Sequence, residues 1–181
     1  IALYNIAKEN GFDKKRLEEQ FPRVAELPFD SDRKCMTTFH RAAEQQSSRA
    51  AVIANYVSFT KGAIEVLIEK ADNVMTSDGL KSVDKNEILK TSEKMAADGL
   101  RVLGIAMREW DTLPDNMSPD NVETGLTILG LVGMMDPPRE EAKEAVRLCR
   151  TAGIKPVMIT GDHPVTAEAI ARDLNILNDG K

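Results

Sequence analysis

Hydrophobic positions recur every three or four residues in some stretches of this chain and alternate or run together in others. Residues 1–10 carry Leu3, Ile6 and Ala7 at helical spacing, with Gly11 placed to end the helix. Residues 14–20 predict a second short helix before Pro22, and residues 23–29 lead into the polar loop 30–34. Residues 35–41 then alternate loosely as a strand, 44–51 are small and polar as a hairpin loop would be, and 51–60 have strand propensity. Gly62-Ala63 makes a tight break before a helix over 65–71, and Asp78-Gly79 signals a turn. Residues 84–99 give a clear helical pattern: Asp84 at the cap, Glu87 as its capping-box partner, Ile88, Met95 and Ala96 on one face, Gly99 at the end. Residues 100–109 alternate as a strand, and 112–123, with Pro114 and Pro119, read as an exposed loop.

The run 126–135 is apolar with glycines spaced through it, as a buried strand would be, and it stops at Asp136-Pro137-Pro138-Arg139. Two prolines in a row fix two φ angles and remove two donors, so no strand or helix continues through them. The segment reads as a stiff joint. Beyond it come a helix over 140–152 closed by Gly153, a short apolar strand over 154–160 and a helix over 166–174. The pattern before the joint mixes helices with hairpin-like strands, an α+β arrangement; the pattern after it opens a parallel α/β series. Two domains are therefore expected, 1–135 and 136–181.

Composition narrows the function. The 181 residues include 24 Lys+Arg against 29 Asp+Glu, a net charge of −5, which argues against a nucleic-acid or anionic-membrane surface. Cys35 and Cys149 have no CxxC partner, so free thiols in a reducing compartment are expected. The longest apolar run falls short of the roughly 18 residues of a membrane helix. The sequence opens at Ile1 without a signal segment, so a piece of a longer protein is expected.

A few short constellations can carry chemistry. Thr160-Gly161-Asp162 follows an apolar stretch and precedes a helix, where a hydroxyl donor, a close backbone and a carboxylate can hold a phosphoryl group; a turn with an N-cap explains the same residues. Phe29 is either a core plug or a platform for a base, with Lys34 a partner for phosphate. Lys61-Gly62-Ala63 places a lysine at a strand end with small residues that let a flat ring approach, or forms a plain strand-to-helix turn. Arg101 opens a strand and can bridge a phosphate or pair with a surface acid. The chain has no P-loop or Rossmann glycine pattern, and His40 and His163 lack partners at metal spacing. Asp30-Ser31-Asp32 mimics the nucleophile of haloacid-dehalogenase-like phosphatases but lacks the apolar strand that would hold it.

In order along the chain, FDSDRKCM, FTKGAIE, DGLRVLGIA, GLVGMMDPPR and VMITGDHPVTAEAIA resemble the cytoplasmic segments of P-type cation-transporting ATPases, the calcium-pump subgroup and its bacterial members above all. The resemblance implies a nucleotide-binding domain with an antiparallel sheet flanked by helices, followed by part of a phosphorylation domain of haloacid-dehalogenase type. It implies that Phe29 stacks on adenine, that Lys34 and Lys61 are pocket lysines with Gly62 and Ala63 along the base, and that Arg101 reaches the phosphates beside apolar Leu103. Asp136 and Arg139 match the hinge near ribose and phosphates, and Thr160, Gly161 and Asp162 the motif that holds the transferred phosphoryl group. ATP or ADP with Mg²⁺ and the rest of a parent pump (actuator and phosphorylation domains, membrane helices) are the implied partners, with no direct membrane contact by this segment. The implied location is the cytoplasmic face of a membrane, a bacterial plasma membrane foremost. The DKTGT nucleophile and the GDGxND magnesium motif of that family are absent from the 181 residues, Ile64 stands where many relatives have Pro, and Ser31 replaces an arginine of the animal calcium pumps. The alternatives are a free-standing phosphatase using Asp30 with Thr160, and a non-catalytic nucleotide-binding module.

Overall fold

A computed structural model describes residues 2–42, 54–134, 138–161 and 164–177. The elements run α1 (Ala2–Glu9), α2 (Lys14–Gln20), β1 (Arg23–Asp30), β2 (Cys35–Arg41), β3 (Tyr56–Gly62), α3 (Ile64–Glu69), β4 (Ala71–Thr76), β5 (Gly79–Ser82), α4 (Lys85–Ala97), β6 (Arg101–Trp110), α5 (Pro119–Val122), β7 (Leu126–Met134), α6 (Glu140–Thr151) and α7 (Pro164–Asp173). The hairpin loop expected over 44–51 lies outside the described residues. Glycines end the helices as the sequence suggests: Gly11, Gly99 and Gly153 follow α1, α4 and α6 at φ +83°, +79° and +76°, a conformation open to residues without Cβ. Asp13 caps α2, its Oδ1 accepting the Arg16 N–H at 2.9 Å.

The strands form one seven-stranded sheet in the order β1-β2-β3-β6-β7-β4-β5. The pairs β1–β2, β2–β3, β3–β6 and β4–β5 are antiparallel, but β4 and β7 run parallel. The sheet is thus mixed rather than purely antiparallel as expected. Three strands escape a pattern reading. β1 carries Pro28 and three charged residues on the sheet edge, and β4 and β5 are a short hairpin turned by Gly79 at φ +110°. The edge strands β1 and β5, and β4 between β5 and β7, are defined by their neighbours' hydrogen bonds more than by hydrophobic alternation.

Two compact units emerge, Ile1–Lys85 with Leu103–Val132, and Asn86–Val102 with Gly133–Lys181. In the first, β2 buries Cys35, Thr37 and Phe39 on alternate positions, and β3 does the same with Ser58, Thr60 and Gly62. This face packs on Ile64, Leu67 and Ile68 of α3 and is completed by Val122, Leu126 and Ile128, all essentially inaccessible. Residues 112–123 are not simply an exposed loop: they contain α5, and Val122 and Glu123 are buried. Ser118 with Pro119 at the first helical turn explains the helix.

In the second unit the Thr166 hydroxyl donates to the Leu100 carbonyl at 3.3 Å, and Lys143 pairs with Asp173 at 3.3 Å. The strand expected over 154–160 does not form. The segment is irregular, and Val157 and Ile159 stand 78% and 94% exposed.

Gly62 is the tightest point of the sheet. A Cβ there would lie 2.5 Å from the Lys34 carbonyl oxygen and 2.8 Å from the Cys35 Cα, both backbone atoms that cannot swing aside. Gly62→Ala is expected to destabilise the protein by about 1–3 kcal/mol, the usual cost of overpacking. Equilibrium urea unfolding checks this, and an unchanged midpoint would show that the β2–β3 ladder yields more easily than its geometry implies.

Candidate functional site

Alternation in β2, β3 and β6 sends one set of side chains into the core and the other to the opposite face of the sheet. The register lines up Met36, Lys61 and Ile105 across the three strands, and next to them Thr38, Phe59 and Met107. None of these six is fully buried, and Lys61 and Phe59 are exposed. The result is an apolar surface carrying a lysine. Phe29 stands near the end of β1, within the register irregularity between Leu27 and Asp30, and is 63% exposed. That exposure rules out the core-plug reading of Phe29.

The turn between β1 and β2 organises this end of the sheet. Asp30 Oδ1 accepts the backbone N–H groups of Asp32 and Arg33, each at 2.9 Å, and the Asp30 carbonyl accepts the Lys34 N–H at 2.7 Å. The Arg33 and Asp32 amides hold the Asp30 carboxyl below the usual carboxylate range. The Asp30 carboxylate therefore serves as a turn former, which weakens its case as a nucleophile. Lys34 closes the turn at φ +52°, and its carbonyl accepts the Ala63 N–H at 3.0 Å. Gly62 lies between Cys35 and Gly104 in the register, next to Leu103. Phe29, Lys34, Gly62, Ala63 and Leu103 thus gather at one end of the sheet, with exposed Lys61 on the adjoining row.

Beneath the turn lies a feature that pattern reading missed. Glu123 is fully buried, and its carboxylate accepts from Arg33 Nη1, from Lys70 Nζ at 3.1 Å, from Thr37 Oγ1 at 3.2 Å and from Cys35 Sγ at 3.4 Å. Burial alone would raise its pKa, but the hydrogen bonds from Arg33, Lys70 and Cys35 outweigh it and hold the carboxyl below its ordinary value. Arg33 also donates through Nη2 to the Pro28 carbonyl at 2.7 Å. Arg108, stacked 3.9 Å from the Trp110 ring centroid, donates to the Asn121 and Thr124 carbonyls at 3.1 and 2.9 Å and so fixes the backbone on both sides of Glu123. The one sequence signal was indirect: Ser118-Pro119 marks a helix start, and an acid following a helical turn between Val122 and Leu126 is drawn inward with them.

The remaining expected site residues belong to the second unit. Arg101 is exposed at the start of β6, and Arg139 is exposed at the N-cap of α6 with extended backbone (φ −65°, ψ 142°). Thr160 and Gly161 are exposed in an irregular segment. Asp136 and Asp162 lie outside the described residues.

Comparison with known proteins adds to this geometry. Residues 1–141 match the family model described as P-type ATPase, cytoplasmic domain N. The chain is 41% identical over 182 residues to calcium-transporting ATPase 1 of Bacillus cereus, covering 99% of this chain and 19% of that protein. It is 38% identical over 180 residues to a cation-transporting ATPase of Synechocystis, covering 99% and 19%. A sodium/potassium exporting P-type ATPase of Schizosaccharomyces pombe is 38% identical over 185 residues, covering 98% and 16%. The chain spans about a fifth of the length of such relatives.

The buried cluster gives stability a pH dependence. Burial first, and then the neighbouring Glu123 charge, push the Cys35 thiol from 9.0 up to about 11. The folded state therefore keeps this proton longer than the unfolded chain, and the associated stability is full below pH 9, falls above it and is lost by about pH 11. Urea midpoints should drop more steeply between pH 9 and about 11 in the wild type than in Cys35→Ala. Parallel slopes would mean that Cys35 does not contribute.

Proposed function

This chain belongs to the P-type cation-transporting ATPases, matching their cytoplasmic domain N, and from that premise we propose that it is the ATP-presenting part of an ATP-driven cation pump. Residues 1–135 are the nucleotide-binding domain, and 136–181 are part of a phosphorylation domain of haloacid-dehalogenase type. The observation that carries this reading is an exposed Phe29 ring at the same end of the sheet as Lys34, Gly62 and Ala63.

Each group has a physical task. The Phe29 ring offers a flat apolar surface on which adenine stacks, and Gly62, Ala63 and Leu103 let the base lie close to the sheet. Lys34, Lys61 and Arg101 offset the charge of the triphosphate, as ammonium and guanidinium groups do in different geometries. Asp136 and Arg139 serve the hinge near ribose and phosphates, and Thr160, Gly161 and Asp162 hold the phosphoryl group during transfer. Mg²⁺, bound with ATP, would offset part of the phosphate charge. The work this reading gives the chain is binding and orientation. The acceptor aspartate belongs to the rest of the pump, since the 181 residues contain no DKTGT. Calcium is the favoured cation, and the cytoplasmic face of a bacterial plasma membrane the favoured location, because bacterial calcium-transporting ATPases are among the relatives. No helix among the described residues is long and apolar enough to cross a membrane.

Phe29→Ala should weaken ATP and ADP binding alike by about 1–3 kcal/mol, the scale of base–aromatic stacking. Because the ring is exposed, the melting temperature should barely move. Calorimetric titration beside a melting curve separates the two quantities, and unchanged affinity would remove the stacking role.

The chain alone should hydrolyse neither ATP nor a generic phosphate ester, because phosphoryl transfer needs an acceptor and a metal site as well as positioning groups. Phosphate release is the measurement. Magnesium-dependent turnover abolished by Asp30→Asn would favour the phosphatase alternative.

A further inference from the structure

We propose that Glu123 is the positioning residue of the nucleotide pocket, acting through Arg33 on both Phe29 and Lys34. The proposal rests on the pocket assignment made above. Arg33 and Cys35 flank Lys34 in sequence, and both donate to the same buried carboxylate. Lys34 is thereby anchored on each side. The same guanidinium reaches the Pro28 carbonyl at 2.7 Å, directly before Phe29. One carboxylate therefore fixes the two ends of the turn that carries the aromatic and the lysine.

The strand beside the turn completes the device. Lys34 is held at φ +52°, a conformation a residue with Cβ adopts at some cost. Its carbonyl is committed to the Ala63 N–H at 3.0 Å, next to Gly62, whose missing side chain admits that carbonyl. A turn held in this way directs the Lys34 side chain without the lysine itself taking part in the ion cluster. Lys70 provides a contrast. It donates to the same carboxylate at 3.1 Å, but it sits between α3 and β4, outside the turn at 30–34. Arg33 and Lys70 thus stabilise the same buried charge, and of these two cations Arg33 is the one that also holds the turn, through the Pro28 carbonyl.

The distinction gives a test. In the full chain, Arg33→Met and Lys70→Met should both lower the melting temperature, since each leaves Glu123 short of a cation. Arg33→Met should also weaken ATP binding by about tenfold in the folded protein, because small misplacements of positioned groups are costly. Lys70→Met should leave affinity within about twofold of the wild type. Should Arg33→Met fail to fold, Arg33→Lys serves, because a single ammonium cannot reach Glu123 and the Pro28 carbonyl together. Phe29→Ala combined with the Arg33 variant should cost less than the sum of the two, since both act on the same contact with the base. Equal losses for Arg33 and Lys70, or full additivity with Phe29→Ala, would overturn the proposal. If the wild type binds no ATP, the pocket assignment fails by itself, and amide hydrogen exchange decides the positioning role. Faster exchange across residues 29–34 in the Arg33 variant alone supports it, and equal exchange in both variants refutes it.

Discussion

A carboxylate without water around it is the constraint on which the first unit depends. Removing the Glu123 charge from solvent costs several kcal/mol, recovered only if its oxygens are fully engaged. Here they are: two cations, a hydroxyl and a thiol converge on them. The donors come from β2, from the turn before it, and from the junction of α3 with β4, while the acceptor comes from the end of α5. One ionic group thereby joins segments far apart in sequence. Hydrophobic burial brings the layers together, and the ion cluster sets which residues meet. Thr37 and Thr60, 2.9 Å apart on neighbouring strands, extend the polar region across the sheet face and leave little freedom to slide.

The two faces of the sheet divide labour accordingly. The inner face is polar at its centre yet closed, with no unsatisfied buried side-chain atom among the described residues. The outer face is apolar yet open, which suits a flat ligand with a charged tail. Alternation along single strands supplies both, so a shift of one residue in register would exchange them. Gly62 and Gly104 lie opposite one another in the ladder. Side chains there would press on the Lys34 carbonyl and on Ile64 respectively.

Much of this was legible in the sequence, and the reasons differ by element. α1, α4 and α6 announce themselves because period and glycine stop agree. β6 and β7 do so because their apolar residues must be covered. Phe29 was readable as a candidate but not as exposed, since pattern alone cannot tell a buried aromatic from an open one. β1, β4 and β5 were not legible as strands: their identity comes from the neighbour across the ladder. Glu123 was the largest omission. An acid in a proline-containing stretch is ordinarily solvated, and its burial depends on Arg33 and Lys70, 90 and 53 residues away. Residues 154–160 are the opposite case: their apolar run suggests a strand, and the segment is irregular. Local pattern tells which residues prefer shelter; the ladder and the ion cluster decide which receive it.

The burial of Cys35 gives the chain a property of practical use. Its two thiols differ in access: Cys35 is fully enclosed beside a carboxylate, whereas Cys149 on α6 is partly open. A maleimide dye at neutral pH will therefore mark Cys149 in the native protein and both sites once the first unit unfolds. The ratio of singly to doubly labelled chains in a mass spectrum becomes a count of open molecules, obtained without adding or removing a cysteine.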